Sequence, residues 1–342
     1  MDQILLTTSE PHPLERVPEH EAAGIERVVA LQTTIMKTRQ DPRKRGQHPK
    51  QQAVLRGVFE ISEDVPRALR AGLFARPSRY DAAVRFSTGP MPRDCDPNPH
   101  AIAIKLFDVP GSPSGTQDFI ALDQPTFFIR DIADYVTFFE GILSKDGPDG
   151  FWRAHPQSYA LNLTFNVVIA SHLDRQYWCE VPVAMDGGAA RFTVIPDIDN
   201  ASDRGPATTD NGLRDALRTH FIEARRPARF LIAAQAYVDE ATTPIEDATS
   251  VWPTPFETVA TLTIPAQDFL AEGRDTFGEA LSFTPWHCLP AHRPLGGIQR
   301  ARRRVYEESA RLRRSLTGSA TAEPNPADFR RLFPLSETAN QE

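Results

Sequence analysis

Two sets of short β-type runs, a helical insertion inside the second set and an abundance of proline predict an α+β protein. The pattern fits an antiparallel β-barrel or sandwich with helices packed outside. The first set covers residues 53–61, 82–87, 101–107 and 119–122, and the second 173–185, 190–196, 227–239 and 257–264, with a helix at about 211–223 between its members. Thirty prolines favour strands, turns and long irregular connections over a helical bundle.

In chain order, residues 21–39 place Ile25, Val28, Val29, Leu31 and Ile35 largely on one side of a helix. Ala101 to Phe107 is apolar on both faces, as expected of a strand covered on both sides. Residues 131–143 and 151–171 read as helices opened by an acid or a turn residue. The stretch 241–256, around Val251-Trp252-Pro253, reads as a long surface loop. The polar, proline-rich ends suggest a flexible N-terminal arm at 1–20 and a loose C-terminal tail at 317–342, on either side of one domain at 21–316.

Composition narrows the function. The 342 residues are 40% hydrophobic and 24% charged, with net charge −7, so nothing in the balance calls for a nucleic acid partner or an anionic membrane. Cys95, Cys179 and Cys288 are odd in number and lack CxxC spacing, which predicts reduced thiols in a cytoplasmic setting. The N-terminus has no basic and apolar signal pattern, and no window approaches the length of a membrane span. There is no P-loop, and no GxGxxG opens a helix after a strand. His287 and His292 lack Cys or acid partners at zinc spacing and read as loop residues under the last long helix.

Near the C-terminus, Arg302 precedes Tyr306 by four residues and Arg313 follows it by seven. At about 100° per residue those steps return to nearly one azimuth, so the three share a helical stripe. A guanidinium one turn from a phenol favours the phenolate, which is a metal ligand; the plainer reading is a solvated basic helix that meets a polyanion. Upstream, Arg45-Gly-Gln47-His48 precedes a β run and offers an acid–base imidazole. Arg85-Phe86-Ser87-Thr88 closes the next run, and Asp123-Gln-Pro125-Thr-Phe127-Phe128-Ile-Arg130-Asp131 follows.

The order of these segments, RxxH, RFST, DQPTFFIRD and RxxxYxxxxxxR, resembles the haem catalase superfamily over residues 40–315. Ser250-Val251-Trp252-Pro253 resembles its T-x-V-W-P loop, and Tyr177-Trp178 matches less distinctively. Phe283-Thr-Pro-Trp286 and Pro294-Leu-Gly-Gly-Ile298 resemble its short catalase-related, mini-catalase-like branch. The resemblance implies a barrel at about 50–265, a proximal haem segment at about 283–316 and haem b as cofactor. It makes Tyr306 the axial iron ligand, with Arg302 as its hydrogen-bonding partner. Arg45, Arg85 and Arg313 would bind haem propionates, His48 would be the distal histidine and Ser87 its hydrogen-bonding serine. Tyr135 falls where the family stacks a Phe on the distal haem face, and Phe127 and Phe128 match aromatics beside the substrate channel.

Three departures concern the distal side. Leu122 replaces the distal asparagine, with Asp123 and Gln124 as neighbours that might stand in for it; Gln47 replaces a small apolar residue; and Pro49-Lys-Gln-Gln-Ala53 replaces a glycine-rich run with one residue more before Phe59-Glu60. The function implied is peroxide processing with weak hydrogen peroxide disproportionation or peroxidase activity. Its alternatives are an organic hydroperoxide isomerase or lyase of the allene oxide synthase type, and a non-catalytic haem-binding protein. The family often forms homo-oligomers through its N-terminal arm, which is short here.

Overall fold

The computed structural model describes residues 10–39, 41, 43–318 and 323–335. Strands β1 (Lys50–Ile61), β2 (Arg79–Thr88), β3 (His100–Phe107) and β4 (Thr116–Leu122) form a meander. They are followed by β5 (Tyr177–Trp178), β6 (Val183–Met185), β7 (Gly188–Pro196), β8 (Ala228–Ala236) and β9 (Glu257–Ile264). The two-residue β5 joins the halves, with Leu122 opposite Trp178 on one side and Trp178 opposite Thr193 on the other. β9 returns to pair with β1, so eight antiparallel strands close on themselves, and β6 is a hairpin appendage of β7. Closure decides for a barrel over a sandwich and removes the sheet edges.

The two-residue period of each strand sorts the barrel's inside from its outside. Val84 and Phe86 of β2, Ile102, Ile104 and Leu106 of β3, and Phe119 and Ala121 of β4 belong to the inner core. Phe74, from the 72–75 turn, stacks there on Phe192 at 5.4 Å, and Phe59 stacks on Phe119 at 5.7 Å. The intervening residues, Arg85 and Ser87, Ala101, Ala103 and Lys105, Asp118 and Ile120, therefore face outward. β3 is buried along its whole length, so the expectation of a strand covered on both sides holds.

One irregularity adjusts this alternation near the site. The β1–β2 register slips between Gln51 and Ala53, a bulge that absorbs the extra residue before Phe59. Ala53 is thereby in the inner core, while Gln51 pairs with outward-facing Ser87.

Helices α1 (Glu21–Thr38), α2 (Ile132–Leu143), α3 (Asp149–Ala154), α4 (Pro156–Phe165), α5 (Gly212–Arg218), α6 (Arg274–Ala280), α7 (Gly297–Thr317) and α8 (Pro326–Leu332) lie outside the barrel. α1, α2 and α7 share a second core of Ile25, Val28, Ile132, Phe139, Ile298 and Val305. Asp131 caps α2 by accepting from the backbone N–H of Asp134 at 3.0 Å.

Four sequence expectations differ from the structure. The helix expected over 151–171 breaks at His155, whose φ of −127° and ψ of 67° leave the helical region because Pro156 follows. It ends at Phe165, so 166–171 are not helical. The strand expected over 173–185 reduces to β5 and β6, and Pro182, without an N–H, stands between them. The tail expected over 317–342 contains α8, which is anchored by the fully buried Phe329 and Phe333. Phe329 packs at 4.8 Å on Phe107 and 5.8 Å on Phe277. The expected N-terminal arm is attached where it is described, through the buried Glu15; residues 1–9, 319–322 and 336–342 lie outside the described residues.

Glu15 belongs to a clamp on the start of α7. Its carboxylate accepts from Gly296 N–H at 2.9 Å, and Glu246 accepts from Gly297 N–H at 2.8 Å, so two acids meet the helix's positive end. Arg300 donates to Glu15 at 2.5 Å, to Glu21 at 2.5 and 2.7 Å, and to Glu246 at 2.9 Å. Gly296 has φ of +87°, and a Cβ there would lie 2.6 Å from the Ile245 carbonyl oxygen, so only glycine fits. Burial opposes the charge on Glu15, but the His12 and Gly296 N–H groups and Arg300 together hold its carboxyl below the usual carboxylate range.

Replacing Arg300 by Met leaves three carboxylates facing one another without their shared cation. The expected loss is about 3–5 kcal/mol in urea unfolding. Phe329→Ala should cost a similar ~3–5 kcal/mol by emptying the α8 contact, whereas a loose tail would show no change in the unfolding midpoint.

Candidate functional site

The loop between α1 and β1, the outer face of β2–β4, the 281–287 segment and one side of α7 enclose a cavity of about 540 Å³. Arg45, His48, Arg85, Ser87, Tyr306 and Arg313 all line it, so six of the ten site residues predicted from sequence converge on one space. They come from three parts of the chain, the third more than two hundred residues beyond the other two.

Arg45 crosses to the end of α6, donating to Glu279 Oε2 at 2.7 Å and to the carbonyls of Gly278 and Leu281 at 2.8 and 2.7 Å. His48 follows with φ of +47°, a left-handed conformation unusual for a residue with a side chain. Arg85 holds that turn by donating to the His48 carbonyl at 3.0 Å and to Gln51 Oε1 at 3.3 Å. The bulge in β1 is what brings Gln51 to the outer face for this bond. Gln47 donates to Gln32 of α1 at 2.9 Å, tying the loop to the helical layer. On the opposite flank Arg313 donates to the Glu279 carbonyl at 2.8 Å, and Arg314 donates to Ser282 Oγ at 3.0 Å.

Electrostatics follow from this crowding. Burial, and then the Arg85 guanidinium, push Arg45 down to about 9; burial and Arg45 bring Arg313 down to about 10. Arg85 also falls to about 10, through burial and the charge of Arg313 against the attraction of Glu279. Burial and Arg85 lower His48 to about 3, so its imidazole is neutral at ordinary pH. Among the described residues His48 Nδ1 is buried without a hydrogen-bond partner, and Ser87 lines the same cavity.

Tyr306 differs from the simple expectation of a phenol favoured by one guanidinium. Burial raises its pKa, Arg302 pulls it back, and the Glu180 carboxylate works against Arg302. Arg302 itself donates to Glu180 Oε2 at 3.0 Å and lies 5.2 Å from the Phe127 ring centre, rather than hydrogen-bonding Tyr306. Burial pushes Glu180 up to about 7 despite that pairing.

Arg302, Phe127, Phe128 and Tyr135 are the four predicted site residues that do not line the cavity. Phe127 meets Phe128 at 5.2 Å and Tyr135 at 5.8 Å, and Phe128 packs on Phe138 and Trp152. They form the aromatic core under α2 because the chain after Pro125 leaves the barrel wall for that helix. Neither neighbour of Leu122 takes over the expected asparagine's place. Asp123 accepts from the His100 backbone N–H at 3.0 Å and meets its Nδ1 at 2.8 Å, while Gln124 is bonded to Glu180. The cavity wall on this side is apolar, formed by Ala101, Ala103 and Ile120.

Sequence reasoning missed Glu279, Glu180 and the buried trio Lys105, Asp118 and His287. Lys105 and Asp118 are 13 residues apart on adjacent strands, but Glu279, Glu180 and His287 meet their partners across 122 to 234 residues, at separations no local spacing encodes. The lysine inside the apolar 101–107 run was the one available signal, because a buried lysine requires a partner. His292 is buried too, its Nε2 accepting from Leu73 N–H at 2.9 Å, so neither histidine is a plain loop residue. Among the described residues no group of His, Cys, Asp and Glu has the arrangement of a metal site, and no helix is long and apolar enough to cross a membrane.

No protein-family model matches the sequence, and no curated protein matches it. Solved structures do. A fungal catalase superposes with a TM-score of 0.65 at 18% identity, over 90% of this chain and 68% of that one. A bacterial catalase gives 0.61 at 18% identity, over 98% and 67%. Catalase A from Saccharomyces cerevisiae gives 0.63 at 15% identity, over 98% and 79%. The closed barrel and its outer helices thus have the catalase fold.

Proposed function

We propose that the chain is a haem-dependent oxidoreductase that processes peroxides. The observation that carries this reading is the convergence of Tyr306, His48 and an arginine cluster on one cavity. The residues suit haem b. Arg45, Arg85 and Arg313 crowd round Glu279, with Arg314 beside them on Ser282, so the cavity offers several guanidinium donors to the carboxylates of a haem. Ala101, Ala103 and Ile120 offer an apolar flank to a macrocycle, and Tyr306 offers the oxygen that catalases use as an axial ligand.

Haem, when bound, supplies an iron centre able to exchange electrons with the peroxide. The protein's part is proton handling and placement. With Nδ1 buried, His48 presents Nε2 to the cavity. There it takes the proton from one peroxide oxygen and delivers it to the other, which leaves as water or an alcohol. The Arg85 bond to the His48 carbonyl holds the imidazole on its left-handed turn. Arg302 holds positive charge near the Tyr306 oxygen, shared with Glu180, so the phenolate receives only part of its support.

The same cavity favours organic hydroperoxides over hydrogen peroxide as a second reading. The flank formed by Ala101, Ala103 and Ile120 carries no side-chain donor, and Asp123 and Gln124 are engaged elsewhere. Loss of one oriented donor typically lowers turnover by about 10²–10³.

Purified protein supplied with haem should show a tyrosinate-type Soret spectrum and consume peroxide faster than free haem. Tyr306→Phe should lose haem or change the spectrum, and unchanged cofactor content in that variant would overturn the reading. Slow oxygen release from hydrogen peroxide beside rapid consumption of a lipid hydroperoxide would favour the second substrate class.

The acid limb of kcat/KM supplies a separate check. A histidine lowered to about 3 stays neutral as pH falls from 7 through 5, whereas one at its ordinary value of 6.5 would be protonated and lost as a base. No decline attributable to His48 is expected in that window. His48→Gln should cut turnover by about 10²–10⁴ with haem content retained.

A further inference from the structure

Beside the cavity lies a buried ionic cluster that the proposed reaction does not use. Lys105 of β3 is fully buried, and its Nζ donates to both Asp118 oxygens, at 2.9 and 3.0 Å. The same Nζ lies 3.0 Å from His287 Nδ1. Asp118 Oδ2 accepts from the backbone N–H of Thr284 at 3.0 Å, and the His287 carbonyl accepts from Asp118 N–H at 2.8 Å. The 284–287 turn is therefore fastened to the barrel wall by both main chain and side chains.

Donor and acceptor chemistry assigns the imidazole proton. An ammonium only donates, so Nδ1 facing Lys105 accepts, and the ring N–H resides on Nε2. Asp118 Oδ2, 3.2 Å from the same Nδ1, is already supplied by Lys105 and Thr284. Among the described residues Nε2 has no protein partner, while His287 lines the cavity. A donor whose orientation is fixed by a buried ion pair thus faces a space it shares with the arginine cluster. Lys105 also lies 3.8 Å from Glu323, the carboxylate that faces Arg45 and Arg313, so the two groups adjoin.

We propose that His287 is a further carboxylate-binding residue of the cavity, donating its Nε2–H to a haem propionate beside Arg45, Arg85 and Arg313; this rests on the haem reading above. A carboxylate only accepts, with room for several donors. The three arginines already repel one another, and a neutral imidazole adds a directed donor without adding to that repulsion.

The test titrates the haem-free protein with haem and with haem dimethyl ester, following the Soret band, for the parent, His287→Phe and His287→Gln. Loss of one hydrogen bond to a charged group should weaken haem binding about tenfold in His287→Phe. Binding of the diester, whose oxygens carry no charge, should change little, and His287→Gln, which keeps an N–H donor, should stay close to the parent. The proposal fails if His287→Phe binds haem like the parent, or if it loses haem and diester alike while His287→Gln does the same. A parent chain that binds neither porphyrin would overturn the haem reading and this proposal together, whereas parent binding with an indifferent His287 would overturn only the latter.

Discussion

The position of α7 is the constraint on which the site depends, and the Arg300 clamp sets it. One guanidinium gathers carboxylates from the N-terminal arm, α1 and the 241–256 loop at the helix's first turn. Six residues on, the same helix carries Tyr306, and seven further on Arg313. With one end pinned and the helix rigid, both side chains have a fixed depth against the outer face of β2 and β3. Removing two or three acids from water is expensive, and the arrangement is tolerable because Arg300, Arg293 and several backbone N–H groups satisfy them together.

The other half of the site is a property of strand alternation. Because Phe86 and Ile102 must point into the barrel, Arg85, Ser87, Ala101 and Ala103 must point out, towards α7. An outward arginine in a helix-covered sheet would ordinarily be a liability. Here Arg85 is occupied by the His48 carbonyl and Gln51, and Arg45 by the end of α6, so the cluster persists as a set of preorganised donors. The repulsion among Arg45, Arg85 and Arg313 is eased by Glu279 and Glu323.

Much of this was legible in the sequence, and the limits of legibility have physical causes. His48, Arg85, Ser87, Tyr306 and Arg313 stood in motifs whose order alone suggested a common site. The short β-type runs pointed to a barrel or a sandwich, and only the long-range pairing of β9 with β1 decides between them. Harder to read was α8, a seven-residue helix held by Phe329 and Phe333 rather than by its own propensity. The division of 151–171 was signalled by Pro156 but obscured by continuous apolar spacing. Phe127 and Phe128 share a motif with Pro125, yet the backbone turns between them and the wall, and only tertiary geometry sends them to the α2 core. Glu180 was invisible because its partner, Arg302, is reached through space; it changes the meaning of Arg302 from a dedicated companion of Tyr306 to a shared one.

The bulge in β1 separates the length of the His48 loop from the barrel's architecture. Without it, one residue more between His48 and Phe59 would reverse the faces of the strand, driving Leu55 out and Arg56 into the core. With the surplus absorbed at Gln52, whose amide is itself secured on Asp94 at 2.7 Å, the loop and the strand vary independently. The fold thus contains a length buffer beside the His48 turn, a place where an extra residue reshapes the pocket rim while the core stays in register.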